Sequence, residues 1–85
     1  MGKRVGFVGI IIEDRLKNAE RVNNILTEFG ELIVARVGIP YKKRNRFVIT
    51  LIVDATTNEL GAFTGRLGNI DGVVVKSALS KEKKA

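Results

Sequence analysis

Residues 4–12, Arg-Val-Gly-Phe-Val-Gly-Ile-Ile-Ile, run from a cation to the acidic pair Glu13-Asp14 with no polar side chain between. Side chains alternate along a strand, so Val5, Phe7, Gly9 and Ile11 share one side of the pleat and Gly6, Val8, Ile10 and Ile12 the other. Neither side is polar, which marks a strand in the middle of a sheet. Residues 47–53, Phe-Val-Ile-Thr-Leu-Ile-Val, repeat the pattern. Leu32–Ile39 and Val73–Leu79 also read as strands, but Arg36 and Lys76 each interrupt one face of theirs. The contrast ranks the four: two central strands and two edges.

Between the first two strands, Leu16, Ala19, Val22, Leu26 and Phe29 recur at helical spacing, with Gly30 as the expected left-handed cap. Pro40 is expected to stop the second strand, and Tyr41–Arg46 is short and polar enough for a hairpin loop. Thr56 and Glu59 have the spacing of a capping box and open a second helix through Leu60, Phe63 and Leu67. Gly68–Gly72 ends it before the last strand. The order β-α-β-β-α-β predicts an α+β, ferredoxin-like domain over residues 1–79, with antiparallel sheet order 4-1-3-2 and both helices on one face. Residues 80–85 are expected to form a basic tail.

One sheet face then lacks cover. An unpaired Arg36 under the helices would cost several kcal/mol in order of magnitude, so Ile33, Ala35, Val37 and Ile39 are assigned to the helix side. The open side is assigned Val8, Ile10, Ile12, Val34, Val48, Thr50 and Ile52, together with Gly6, Val74 and Ala78. Patches of this kind rarely stay wet on a soluble monomer. A homo-oligomer, dimer or tetramer, is therefore expected to form through them.

The net charge of +6 is local. Residues 1–39 carry six basic and five acidic side chains and residues 47–79 two and three, so the excess sits in the loop and the tail. Lys42, Lys43, Arg44 and Arg46 are candidate contacts for phosphate or nucleic acid, although such charges also discourage edge pairing. Glu13, Asp14 and Asp54 are candidates to gather at strand ends as an oxygen site or an acid/base pair, or simply as helix-capping carboxylates. Gly61, Gly65 and Gly68 form a small-residue stripe that suggests close approach on the second helix. The chain has neither cysteine nor histidine, which excludes disulfides and the usual transition-metal sites. Ser77 and Ser80 have no evident base, so an enzyme is not expected and no cofactor is implied. No apolar run is long enough to cross a membrane, and no signal peptide is expected; the cytoplasm is the expected compartment.

The segments RVGFVGIIIEDR (residues 4–15), NNILTEFGELIVARVGIPY (23–41) and LGNIDGVVVKSAL (67–79) resemble the small ACT-like regulators of iron-only hydrogenase systems. The resemblance implies a role in transcriptional or assembly regulation, exercised by an oligomeric domain that binds a small effector or a protein partner. The topology also resembles the C-terminal domain of nickel-responsive repressors, whose His and Cys ligands have no counterpart here. Amino-acid-binding ACT domains usually place a glycine after the first strand. This chain has Glu13, Asp14 and Arg15 there instead, so an amino-acid ligand is not implied; the three are the candidate effector loop. The chain opens directly on the first strand, so no DNA-reading ribbon-helix-helix is expected before it. Direct nucleic-acid binding by the 40–46 loop is the alternative function.

Overall fold

Hydrogen-bond chemistry at the two helix starts divides the chain. The Asp14 carboxylate accepts from the Lys17 backbone N–H at 3.3 Å, and Thr56 and Glu59 cap each other reciprocally, at 3.1 and 2.9 Å. In the computed structural model, which describes residues 2–81, these caps separate β1 (Arg4–Ile12) from α1 (Arg15–Glu28) and β3 (Arg46–Ala55) from α2 (Thr57–Gly68). The other strands are β2 (Ile33–Tyr41) and β4 (Val73–Leu79). The sheet order is β2-β3-β1-β4 with every neighbour antiparallel. This is the α+β ferredoxin-like arrangement expected from the ranking of the strands. Residues 82–85 of the predicted tail lie outside the described residues. Ser80 is tied back to β1, its N–H donating to the Val5 carbonyl at 2.8 Å.

Register decides which side chains meet the helices. Val8 lies opposite Leu51, Ile10 opposite Ile49 and Ile12 opposite Phe47. The helices cover this side, and Val22, Leu26, Phe63 and Leu67 close the core over it with Val8, Ile10 and Ile12 fully buried. Val8, Ile10 and Ile12 therefore do not line the open face, contrary to expectation, and Gly6 shares their side. Both sides of β1 are apolar, so alternation alone does not fix its phase; the pairing with β3 does. The open face of β1 is Val5, Phe7, Gly9 and Ile11.

β2 also departs from the expected phase. A register shift between Ile33 and Ala35 turns the strand over. Ile33 packs on the core, whereas Val37 and Ile39 are exposed opposite Thr50 and Val48. Arg36 thus lies on the helix side, but at an edge, where its guanidinium reaches the Asn23 side-chain oxygen on α1 at 3.1 Å. A long side chain on an edge strand keeps its charged head in water, and the burial penalty does not arise. Pro40 does not stop β2, which pairs through Tyr41; proline is tolerated on an edge. Gly30 is not a left-handed cap. Phe29 ends α1 and a 3-10 turn at Gly30–Leu32 leads into β2. Gly72 is the glycine with positive φ, 84°, in the turn before β4. That turn is fastened to α1 by the buried Asn18, whose side-chain amide donates to the Asp71 carbonyl at 2.8 Å.

Candidate functional site

The uncovered sheet face is built from alternate residues of all four strands. Val5, Phe7, Ile11, Val37, Ile39, Val48, Ile52 and Val74 are all exposed on it, Phe7 by 53% of its surface and Val37 by 60%. Val34, beside the β2 irregularity, is exposed by 66%. Of the residues assigned to this face from sequence, Val48, Thr50 and Ile52 lie on it together, flanked by Val74 and Ala78 of β4. Away from the hairpin its charges are Asp54, opposite Val5, and Lys76, opposite Gly9, while Arg46, opposite Tyr41, ends the same side of β3 at the hairpin. An apolar dimple of about 340 Å³ opens near the Val5 end, between Phe7, Ile52 and Ala78. Phe7, Ile11, Val37 and Ile39 escape an argument from alternation because it gives them the same period as the core residues.

At the opposite end of the sheet, β2 turns into β3 through a 3-10 turn, Lys42–Arg44, closed by Asn45 at φ 51°. Lys42, Lys43 and Arg44 are exposed. Arg46 is fastened: its guanidinium donates to the Arg44 carbonyl at 3.0 Å and, at 3.4 Å, to the Glu13 carbonyl. Arg15 lies over the Phe47 ring at 5.7 Å. The loop Glu13-Asp14-Arg15 is thus joined to the basic hairpin, and Asp14 is occupied as a helix cap. Asp54 does not join this loop. β1 and β3 are antiparallel, which puts Asp54 beside Val5 and Glu13 beyond Ile12, at opposite ends of β1. Among the described residues no group of three acidic side chains is placed to hold a metal ion.

Nothing in the sequence signals a second hollow, an open groove of about 890 Å³ where α1 ends and α2 begins. Phe29, Leu32 and Ala62 supply its apolar wall, and Glu31, Asn58 and Glu59 its polar rim. Phe29 packs against Phe63 with ring centroids 5.1 Å apart. Beside it Arg66 donates to Glu28 through its two terminal guanidinium nitrogens, at 2.6 and 3.0 Å. This bond lowers the Glu28 pKa from its usual range and raises that of Arg66. Glu59 is also lowered, first by the Thr56 backbone N–H it accepts and then by Lys3 at 3.4 Å. Gly61, Gly65 and Gly68 are exposed, and a methyl group added at any of them would meet open space. Close packing within the chain therefore does not account for the stripe. No helix among the described residues is long and apolar enough to cross a membrane.

A four-stranded antiparallel sheet in this order with two helices on one side is the ferredoxin-like fold, and solved ACT domains share it. The ACT domain from GTP pyrophosphokinase of Chlorobium tepidum superposes with a TM-score of 0.74 at 19% identity, over 89% of this chain and 99% of that one. An ACT domain protein from Streptococcus pneumoniae matches at a TM-score of 0.54 and 14% identity, over 89% of each chain. The model of the TM1266-like family, "Iron-only hydrogenase system regulator, putative", matches residues 4–77, and the chain belongs to that family. The structure of the uncharacterized protein TM1266 from Thermotoga maritima is similar at 39% identity and a TM-score of 0.89, over 93% of this chain and 99% of that one. No curated protein matches the sequence.

Proposed function

We propose that the chain is an oligomeric regulatory domain of an iron-only hydrogenase system, in which copies meet through the open sheet face and a small effector or partner protein shifts the assembly to control transcription. The observation that carries this reading is the uncovered face itself. Phe7, Ile11, Ile39, Val48, Ile52 and Val74 form one contiguous apolar layer across four strands, and a soluble domain seldom leaves such a layer in water. A second copy supplies the same surface and so covers both at once. Membership of a regulator family supports a regulatory rather than a catalytic role. The groove beside Phe29 offers an effector an apolar wall and a polar rim on the side of the sheet away from that interface.

Light scattering across a dilution series tests the assembly, with an oligomer expected at micromolar concentration. Single copies throughout would overturn it. Deleting the gene in its host and measuring hydrogenase transcripts tests the regulatory role, which unchanged transcripts would overturn.

A further inference from the structure

At the hairpin end of the sheet five cations collect: Arg15, Lys42, Lys43, Arg44 and Arg46. Asp54, the carboxylate nearest the hairpin in sequence, lies at the far end of the sheet, and of Glu13 and Asp14 beside Arg15, Asp14 is taken up by the α1 cap. The ion pairs found among the described residues, Lys3–Glu59 and Arg66–Glu28, involve none of the five. Edge protection does not explain their position. The β2–β3 ladder ends at Tyr41 opposite Arg46, so Lys42, Lys43 and Arg44 lie beyond any edge that could pair. Pro40 and Arg36, within β2, already blunt that edge. The tip is also held in shape. The Asn45 N–H donates to the Lys42 carbonyl at 3.2 Å, and Arg46 ties the turn to the β1–α1 loop. A backbone held in this way loses little conformational freedom when the turn meets a ligand. Tyr41, immediately before the turn, is exposed by 46%.

We propose that this hairpin tip binds single-stranded nucleic acid, with Lys42, Lys43 and Arg44 on successive phosphates and the Tyr41 ring stacked on a base. Arginine and lysine together match a phosphate backbone, and an exposed aromatic beside them is what distinguishes a nucleic-acid strand from an acidic peptide as the occupant. Phosphate and stacking contacts carry no base sequence of their own; the exposed Asn45 side chain is the group at the tip with a paired donor and acceptor.

Fluorescence anisotropy of a labelled mixed-sequence DNA strand about twenty nucleotides long tests the proposal with the full chain. Each phosphate contact contributes a slope of about −0.7 for single strands, so three contacts weaken binding roughly twentyfold between about 50 and 200 mM salt. Changing Lys42, Lys43 and Arg44 together to alanine should abolish most of that salt dependence and weaken binding by tenfold or more in order of magnitude. Tyr41→Ala should weaken it by about fivefold or more. A control with Lys3→Ala, Arg21→Ala and Lys81→Ala removes as much charge away from the tip and should bind much as the unmodified chain does. No anisotropy change at low salt would overturn the proposal. So would wild-type binding by the hairpin variant, or displacement of the strand by polyglutamate as effectively as by unlabelled DNA.

Discussion

Asn18 is the residue on which the β4 turn hangs. It is 2% exposed, and its amide satisfies the Asp71 carbonyl beside Gly72, whose positive φ other residues rarely adopt. Asn18→Leu keeps the branching of the side chain, removes the donor and leaves that carbonyl unpaired. Urea unfolding should show a loss of about 1–3 kcal/mol. The sequence did not mark this residue, because an asparagine among helical polar positions looks like a solvated one, as Asn23 and Asn24 do in the same helix. Glu59 is different, since Thr56-x-x-Glu59 announces the capping box that the structure contains. Its folded pKa, like that of Glu28, lies below the ordinary value of 4.5. Around that pH the folded chain therefore binds fewer protons than the unfolded one. Their contribution is present above pH 4.5 and is lost as pH falls through the lowered folded values. The thermal midpoint should hold from neutral pH to about 5 and decline below that. Glu59→Gln still accepts from the Thr56 N–H but no longer titrates, so the decline should become shallower. An unchanged pH profile in that variant would show that Glu59 contributes nothing to it.

At the scale of the element, β1 carries two apolar faces with different partners, and two substitutions separate them. Ile10→Asp puts a carboxylate among Ile49, Leu26 and the other fully buried side chains, at a cost of several kcal/mol. A domain of this size has little more stability than that to lose, and circular dichroism should show it unfolded. Phe7→Asp alters only the exposed face, so the subunit should keep its helical spectrum and lose the ability to assemble. If Phe7→Asp assembled as the unmodified chain does, the open face would not be where copies meet. The order of elements and the rank of the strands were legible because both follow from where apolar residues recur and where charges interrupt them. The phase of β1 was not, because both of its faces are apolar. The β2 phase was concealed by the irregularity after Ile33, which no turn residue signals. The basic hairpin was located correctly, since a segment as polar as Tyr41–Arg46 has nowhere to go but outward. The separation of Asp54 from Glu13 was also within reach: order 4-1-3-2 makes β1 and β3 antiparallel, so the ends of the two strands point opposite ways.

For the whole molecule, the open face is close to self-complementary in charge as well as in apolarity. Lys76 on β4 lies opposite Gly9, and Asp54 on β3 lies opposite Val5. β3 and β4 flank β1 on its two sides, and Phe7 is midway between Val5 and Gly9, so Phe7 stands at the centre of the line joining the two charges. They are about 16 Å apart in the sheet, too far to pair within one subunit. Neither belongs to an ion pair among the described residues. A two-fold axis running between two stacked sheets and passing over Phe7 brings each Lys76 onto Asp54 of the second copy, with the Phe7 rings meeting between the two pairs. Every residue of such an isologous interface is used twice, so one reversed charge spoils both pairs. Lys76→Glu and Asp54→Lys should each weaken self-assembly, since like charges then face each other across the interface. Mixed together, the two variants should assemble with each other in preference to themselves. The carboxylate introduced at position 76 of one then meets the ammonium introduced at position 54 of the other, and the unmodified Asp54 of the first meets the unmodified Lys76 of the second. Native mass spectrometry of the mixture reads this directly. Homo-oligomers of either variant as abundant as the mixed species would exclude this arrangement, while leaving open-face assembly itself to be judged by Phe7→Asp.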